Sequence, residues 1–209
     1  MKTPFVQRRR ALQAQIAARG LSGILSTSPA DWYYLTGFTG DAGALIILRK
    51  GAALVTDGRF TVQAQEETTG IRIVKQKGSL PASVGEWLHG GGRRKIGFDA
   101  AQVSVEQFRN LRRSAGARVR WVAVGAEIGF LRQVKELGEI AHMRKAALLA
   151  GDVLCEALKL LKPGVREIEI AAEIEYLCEA AEPRDPPSEL SWRLERAPHI
   201  RMRGRRKNG

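Results

Sequence analysis

The chain has 209 residues, 44% of them hydrophobic and 27% charged, with a formal net charge of +12. That length suits one large domain, or one domain and part of a second, and the composition is globular. No apolar run approaches bilayer length, and the N-terminus MKTPFVQRRR has cations without the apolar core of a signal peptide, which points to a cytoplasmic protein with no membrane partner.

Residues 4–19 predict an amphipathic helix, with Val6, Leu12, Ile16 and Ala17 on its apolar side and the Gln7–Arg10 patch in solvent. Gly20 supplies its stop. Gly23–Thr27 reads as a short buried strand, and Pro29–Asp31 begins a helical turn. Ala42–Leu48 and Ala52–Thr56, separated by Arg49-Lys50-Gly51, predict a β-hairpin. Asp57-Gly58 then turns the chain into a helix from Phe60 to Glu67. Strand Ile71–Lys75, helix Ala82–Leu88, strand Lys95–Asp99, helix Val103–Arg113 and strand Val119–Val124 follow. The alternation predicts an α/β fold, and the tight hairpin makes one strand pair antiparallel. The expected result is a mixed β-sheet with flanking helices, complete by residue 125.

Residues 126–134 read as a connector. Beyond them Ile140, Met143, Ala147, Ala150, Leu154, Leu158 and Leu161 recur at spacings of three and four, which predicts one long helix ended by Pro163-Gly164. A second helix opens with Glu167 and Glu169, where carboxylates suit the helix dipole, and carries Ile170, Ala171, Ile174 and Leu177 on one face. Two such helices need a further layer to cover them, and the sequence after them offers none. The expected organisation is a domain over 1–125, a linker and two helices over 126–177, and a basic tail over 178–209.

The tail holds much of the charge. Residues 184–209 contain eight Lys/Arg against three Asp/Glu, so +5 of the +12 lies there. Elsewhere no predicted strand interleaves aromatic residues with cations, and no helix-turn-helix or zinc-finger spacing occurs, so no nucleic-acid partner is expected. Cys155 and Cys178 sit in helical patterns without metal-type spacing and read as unpaired thiols, buried or idle.

Several segments, in order, resemble the pita-bread metallopeptidases: Xaa-Pro aminopeptidase, prolidase and creatinase. They are Tyr34-Leu35-Thr36-Gly37-Phe38 with Gly40, Leu54-Val55-Thr56-Asp57-Gly58-Arg59-Phe60, and Ile96-Gly97-Phe98-Asp99. Arg132, Lys135, Glu139, Ile140, Met143, Arg144 and Ala146 follow, then Pro163-Gly164, Glu167 and Ala171–Glu175. The resemblance implies a creatinase-type N-terminal domain followed by two helices of an incomplete pita-bread domain. It also implies proline-containing peptide substrates, and two divalent metals (Mn, Co or Zn) held by two Asp, one His and two Glu from the second half of the catalytic domain. Those motifs do not occur here, so no catalytic residue, metal ligand or cofactor is expected of this chain. His89, in a glycine-rich loop, and His142, on the long helix, read as surface histidines.

In this family the N-terminal domain packs against a partner subunit and walls the substrate cleft. That makes Tyr34 and Arg59 candidate substrate-side contacts, and a homodimer or pairing with a full-length relative the expected partnership. On the residues alone, Tyr33, Tyr34 and Phe38 read first as core, and Asp57 with Arg59 as a local ion pair or cap.

The tail has a specific candidate cause. When the third base of each codon from Glu182 onward is joined to the first two of the next, permitted wobble bases allow residues 182–208 to be re-read as AEGPSFGTIVASGARAPHPHAGAEEKW. That string resembles the family's continuation after the second helix, with its Gly-x-Ser-Phe, Ile-Val-Ala-Ser-Gly and Pro-His. A frame change would also explain the surplus of Arg and Pro. Pro198-His199 lies in the altered frame and takes no catalytic role. The reading that follows is a truncated, inactive peptidase; the alternatives are a non-catalytic oligomerisation or binding module and, behind it, a basic nucleic-acid binder using the tail.

Overall fold

The strands form where the apolar runs place them: Gly23–Ser26 (β1), Ala44–Leu48 (β2), Ala52–Thr56 (β3), Arg72–Lys75 (β4), Arg94–Asp99 (β5) and Val119–Val124 (β6). The computed structural model describes residues 4–90, 92–125 and 127–181. The strands make one sheet in the order β4-β3-β2-β1-β5-β6. β2 is antiparallel to both β1 and β3, while β1 with β5, β3 with β4, and β5 with β6 are parallel. The mixed sheet therefore has a single reversed strand. The β2–β3 hairpin is the expected one; the antiparallel β1–β2 pair comes from a connection that carries a helix.

Helices cover both faces. Pro4–Ala18 (α1), Pro29–Thr36 (α2), Thr61–Glu67 (α3) and Glu127–Gln133 (α6) contribute Leu12, Ile16, Trp32, Leu35, Ala64 and Ile128 to a core with Ile24, Leu45, Ile47 and Leu54. Leu80–His89 (α4) and Val105–Ala115 (α5) bring Val84, Leu88 and Leu111 onto Leu25, Ile46, Val55, Ile96 and Phe98 on the other face. Alternate residues of the strands serve the two layers, as the two-residue period requires. Helix ends are locally specified: Ser79 caps α4, and Ser104 with Gln107 forms a capping box on α5.

Two expectations need correction. The Gln7–Arg10 patch is not solvated as a whole, since Arg8 and Arg9 are only 9% and 6% exposed. Arg9 donates to the carbonyls of Leu35 and Thr69, each at 2.8 Å, joining α1 to the end of α2 and to the loop after α3. Burial pushes its pKa below the ordinary arginine value. Three polar segments share one guanidinium, whose planar fork fits carbonyls that a solvated helix face would not need.

The supposed connector is also structured. Residues 127–133 form α6, and the first compact unit runs on to Lys135 rather than closing at 125. Ile128 is buried, Glu127 pairs with Arg19 at 2.6 Å, and Arg132 pairs with Asp31 at 2.9 Å. Tyr34 donates its hydroxyl to the Leu131 carbonyl at 3.2 Å. Limited trypsin digestion is therefore expected to leave a stable fragment ending at Lys135, which lies in an exposed stretch just past the docked helix. A stable fragment ending at Arg118 or Arg120, before α6, would contradict that docking.

Among the described residues the second unit contains two helices, Leu137–Lys159 (α7) and Glu167–Ala181 (α8), joined through Gly164 at a φ of 91°. They pack through buried Val153 and Ala157 of α7 and half-buried Leu149, Ile170, Ile174 and Leu177. The predicted row on α7 is left uncovered, as the lack of a further layer implied: Met143, Leu154, Leu158 and Leu161 stay exposed. The smaller side chains at 153 and 157 let the helices approach closely, leaving the leucine row uncovered. Helix α8 continues to Ala181, past the expected boundary at 177. Cys155 and Cys178 are exposed free thiols.

Candidate functional site

The segment Thr36–Gly43 turns away from α2 because Gly37 takes a left-handed φ of 83° and caps the helix by donating its N–H to the Tyr33 carbonyl. Phe38 is fully buried between Trp32 and Phe60, with ring centroids 6.2 Å from each. The Trp32 indole donates to the Gly40 carbonyl at 3.0 Å. A Cβ on Gly40 would stand 2.2 Å from Cζ of Phe38, so the aromatic stack and the glycine require each other.

Beside this loop, β3 ends in the Asp57–Phe60 turn. Asp57 Oδ1 accepts the Arg59 backbone N–H at 2.8 Å, and its Oδ2 accepts Arg59 Nη2 at 2.8 Å. The guanidinium holds the Asp57 carboxyl below the usual carboxylate range, and Asp57 in turn raises Arg59. The Arg59 side chain is 73% exposed and lies 5.1 Å from the Phe60 ring centroid. The local ion pair expected from the sequence is thus present, and it presents a fixed cation to solvent.

Tyr34 sits differently. Its ring lies 4.2 Å from the Arg8 guanidinium, and its hydroxyl is given to Leu131. Its contacts serve the inside of the domain, whereas Tyr33, expected in the core, is 56% exposed.

Glu67 ties the glycine loop to α3. Its carboxylate accepts from the Thr39 backbone N–H at 2.8 Å, from the Thr39 hydroxyl at 2.7 Å and from the Gln63 amide at 2.9 Å. Burial works upward on this carboxyl, yet the donors outweigh it and hold its pKa below the ordinary 4.5. A depressed folded value means that the tie stabilises fully above pH 4.5 and is lost as pH falls through the lowered value. The Thr39 amide is expected to keep its hydrogen-exchange protection down to pH 4.5 and to lose it as pH falls further, beyond the intrinsic change in rate. Unchanged protection would remove Glu67 from that role.

A small polar cavity of about 70 Å³ lies at the carboxyl ends of β1, β5 and β6, lined by Ser26, Asp31, Asp99, Glu127 and Arg132 among others. Asp31 is held by Ser26 at 2.7 Å and by Arg132. Glu127 is paired with Arg19, and Asp99 accepts the Ala101 backbone N–H at 2.9 Å, so the charges are engaged and the space suits ordered water rather than a substrate.

His89 and His142 are exposed, as expected. Among the described residues, no group of three or more His, Cys, Asp and Glu side chains is placed to hold a metal ion. The five-ligand, two-metal set of the pita-bread enzymes therefore does not fit the described residues. Nor, among them, is any helix long and apolar enough to cross a membrane.

The sequence matches the creatinase/prolidase N-terminal domain over residues 8–134, which holds the whole sheet and α6. The chain belongs to that family. A further match, to metallopeptidase family M24, covers residues 141–195 and so begins within α7. The uncharacterized peptidase YqhT of Bacillus subtilis is 32% identical over 157 residues, covering 75% of this chain and 44% of the relative. Among solved structures, an Xaa-Pro dipeptidase from Bacillus anthracis superposes with a TM-score of 0.75 at 26% identity, over 84% of this chain and 49% of that one. An isolated N-terminal domain of a metallopeptidase from Corynebacterium diphtheriae is 38% identical with a TM-score of 0.55, covering 59% of this chain and 98% of that domain. The chain thus spans about half the length of the full-length relatives it matches. The creatinase-type domain stands whole in it, together with a short part of an M24 domain.

Proposed function

We propose that this chain is the front half of an Xaa-Pro peptidase of the aminopeptidase and prolidase type, cut off from its metal ligands by a change of reading frame, and that it has no peptidase activity of its own. The observation that carries this reading is the M24 match starting in α7, on a chain whose described residues offer no convergent ligand set. Hydrolysis in this family needs a water whose pKa is lowered by two metals, and that water has no holder among the described residues. The purified chain is expected to leave an Xaa-Pro peptide intact in the presence of Mn, Co or Zn, and to bind none of them stoichiometrically. Turnover that co-purifies with the chain would overturn the proposal.

A second reading rests on the completeness of the first unit. With its core closed, the domain can act as a subunit-contact module, pairing with itself or with a full-length relative. Arg59 is the better substrate-side candidate in such a pairing, because its guanidinium faces solvent, while Tyr34 is engaged within the domain. The exposed free thiols suit the reducing cytoplasm, where we place the protein.

A further inference from the structure

β6 ends the sheet, and its outer edge is paired to no strand among the described residues. Strand edges present unpaired N–H and C=O groups in a row, ready for another chain. Alongside this edge, Phe108, Arg109, Arg112 and Arg113 of α5 and Arg120 and Trp121 of β6 line a wide groove. The four arginines are exposed, and none makes an ion pair or side-chain hydrogen bond among the described residues. Glu106, a turn before Arg109 on α5, leaves them unneutralised. Phe108 and Trp121 are half-buried beneath them, packed against Phe98 at centroid distances of 4.8 and 6.1 Å.

A sheet edge guarded by charge carries its charged side chains on the edge strand itself. Here three of the four cations come from the neighbouring helix, at positions 109, 112 and 113, and face the same groove. They add little as guards of the backbone and much as counter-charges for a ligand lying along it. Because the aromatic rings are packed into the core, the groove lacks the open faces on which nucleic-acid bases stack. The combination favours an extended polypeptide with carboxylates.

We propose that the β6–α5 edge binds an acidic, extended polypeptide segment as a seventh strand, its carboxylates engaged by Arg109, Arg112, Arg113 and Arg120. The probe is a fluorescein-labelled octapeptide of alternating Glu and Val, titrated into the full chain and read by anisotropy, with a Lys–Val octapeptide as control. Binding by the Glu–Val peptide alone is expected. It should weaken about tenfold or more in the R112E/R113E double variant and, independently, in R120E. Amide shifts on peptide addition should centre on residues 119–124. Because the tail is basic too, binding that survives both charge reversals would assign the affinity to the tail and overturn the proposal. So would preferential binding of single-stranded oligothymidylate, or no peptide binding at low salt.

Discussion

On the proposed reading, restoring the frame after codon 181 is expected to yield a chain that hydrolyses Xaa-Pro peptides in the presence of a divalent metal, which the present chain leaves intact. The re-read residues 182–208 place Gly-x-Ser-Phe and Ile-Val-Ala-Ser-Gly directly after α8, where the fold requires further elements to cover the exposed leucine row of α7. First and second codon bases are nearly fixed by the protein sequence, so the second and third letters of each re-read codon are nearly fixed too. A run of 27 residues in the right place is hard to obtain by chance. The effect is large because enzymes accelerate reactions by roughly a millionfold or more over the uncatalysed rate. The check is to sequence the DNA across and beyond codon 181, express the frame-restored product and assay it beside the present chain. Downstream DNA without two Asp, one His and two Glu in pita-bread arrangement, in any frame, would end the idea.

Arg9→Ala is expected to be the most damaging single change to the first unit, costing about 3 kcal/mol of unfolding free energy. The side chain is 6% exposed and satisfies two carbonyls on different segments. Removing it leaves the buried Leu35 carbonyl without its donor, at roughly 1–3 kcal/mol, and the part-buried Thr69 carbonyl too, with some relief there from water, and it takes away the packing of the stem. Arg9→Lys should recover only part, because an ammonium cannot reproduce the planar fork that reaches Leu35 and Thr69 together. Its exposed neighbour provides the control: Arg10→Ala should stay within about 0.5 kcal/mol of the parent. Urea unfolding followed by circular dichroism reads all three. A cost below 1 kcal/mol for Arg9→Ala would mean that α1 does not depend on this bridge.

Much of the architecture can be read from local patterns. The hairpin at 44–56 follows from two apolar runs around a glycine turn, and the capped helices start where Ser79 and Ser104 stand. The Asp57–Arg59 pair was legible because its partners are two residues apart. What escaped depends on distance along the chain or on residues used against type. Arg8 and Arg9 look like solvent residues to any hydropathy pattern, and only a fold that delivers carbonyls from residues 34, 35 and 69 can bury them. The Glu67–Thr39 tie spans 28 residues and leaves no local mark. On α7 two apolar rows compete, and periodicity cannot tell which one a neighbouring helix will take. The arginine groove was hidden for a similar reason, since a tight turn brings α5 beside β6 and merges two unremarkable charge runs. Seven residues with one charge at each end of an apolar stretch gave α6 no helical signature of its own.

That short helix also sets a schedule. Asp31 waits 101 residues for Arg132, and Tyr34 waits 97 for Leu131, so the first core stays unsealed until residue 133 has left the ribosome. Domains are completed in the order of their synthesis. The segment beyond α8 emerges only after the seal is in place. On the proposed reading, a change of frame there arrives too late to spoil the first unit, which is already closed when the leucine row of α7 is left uncovered.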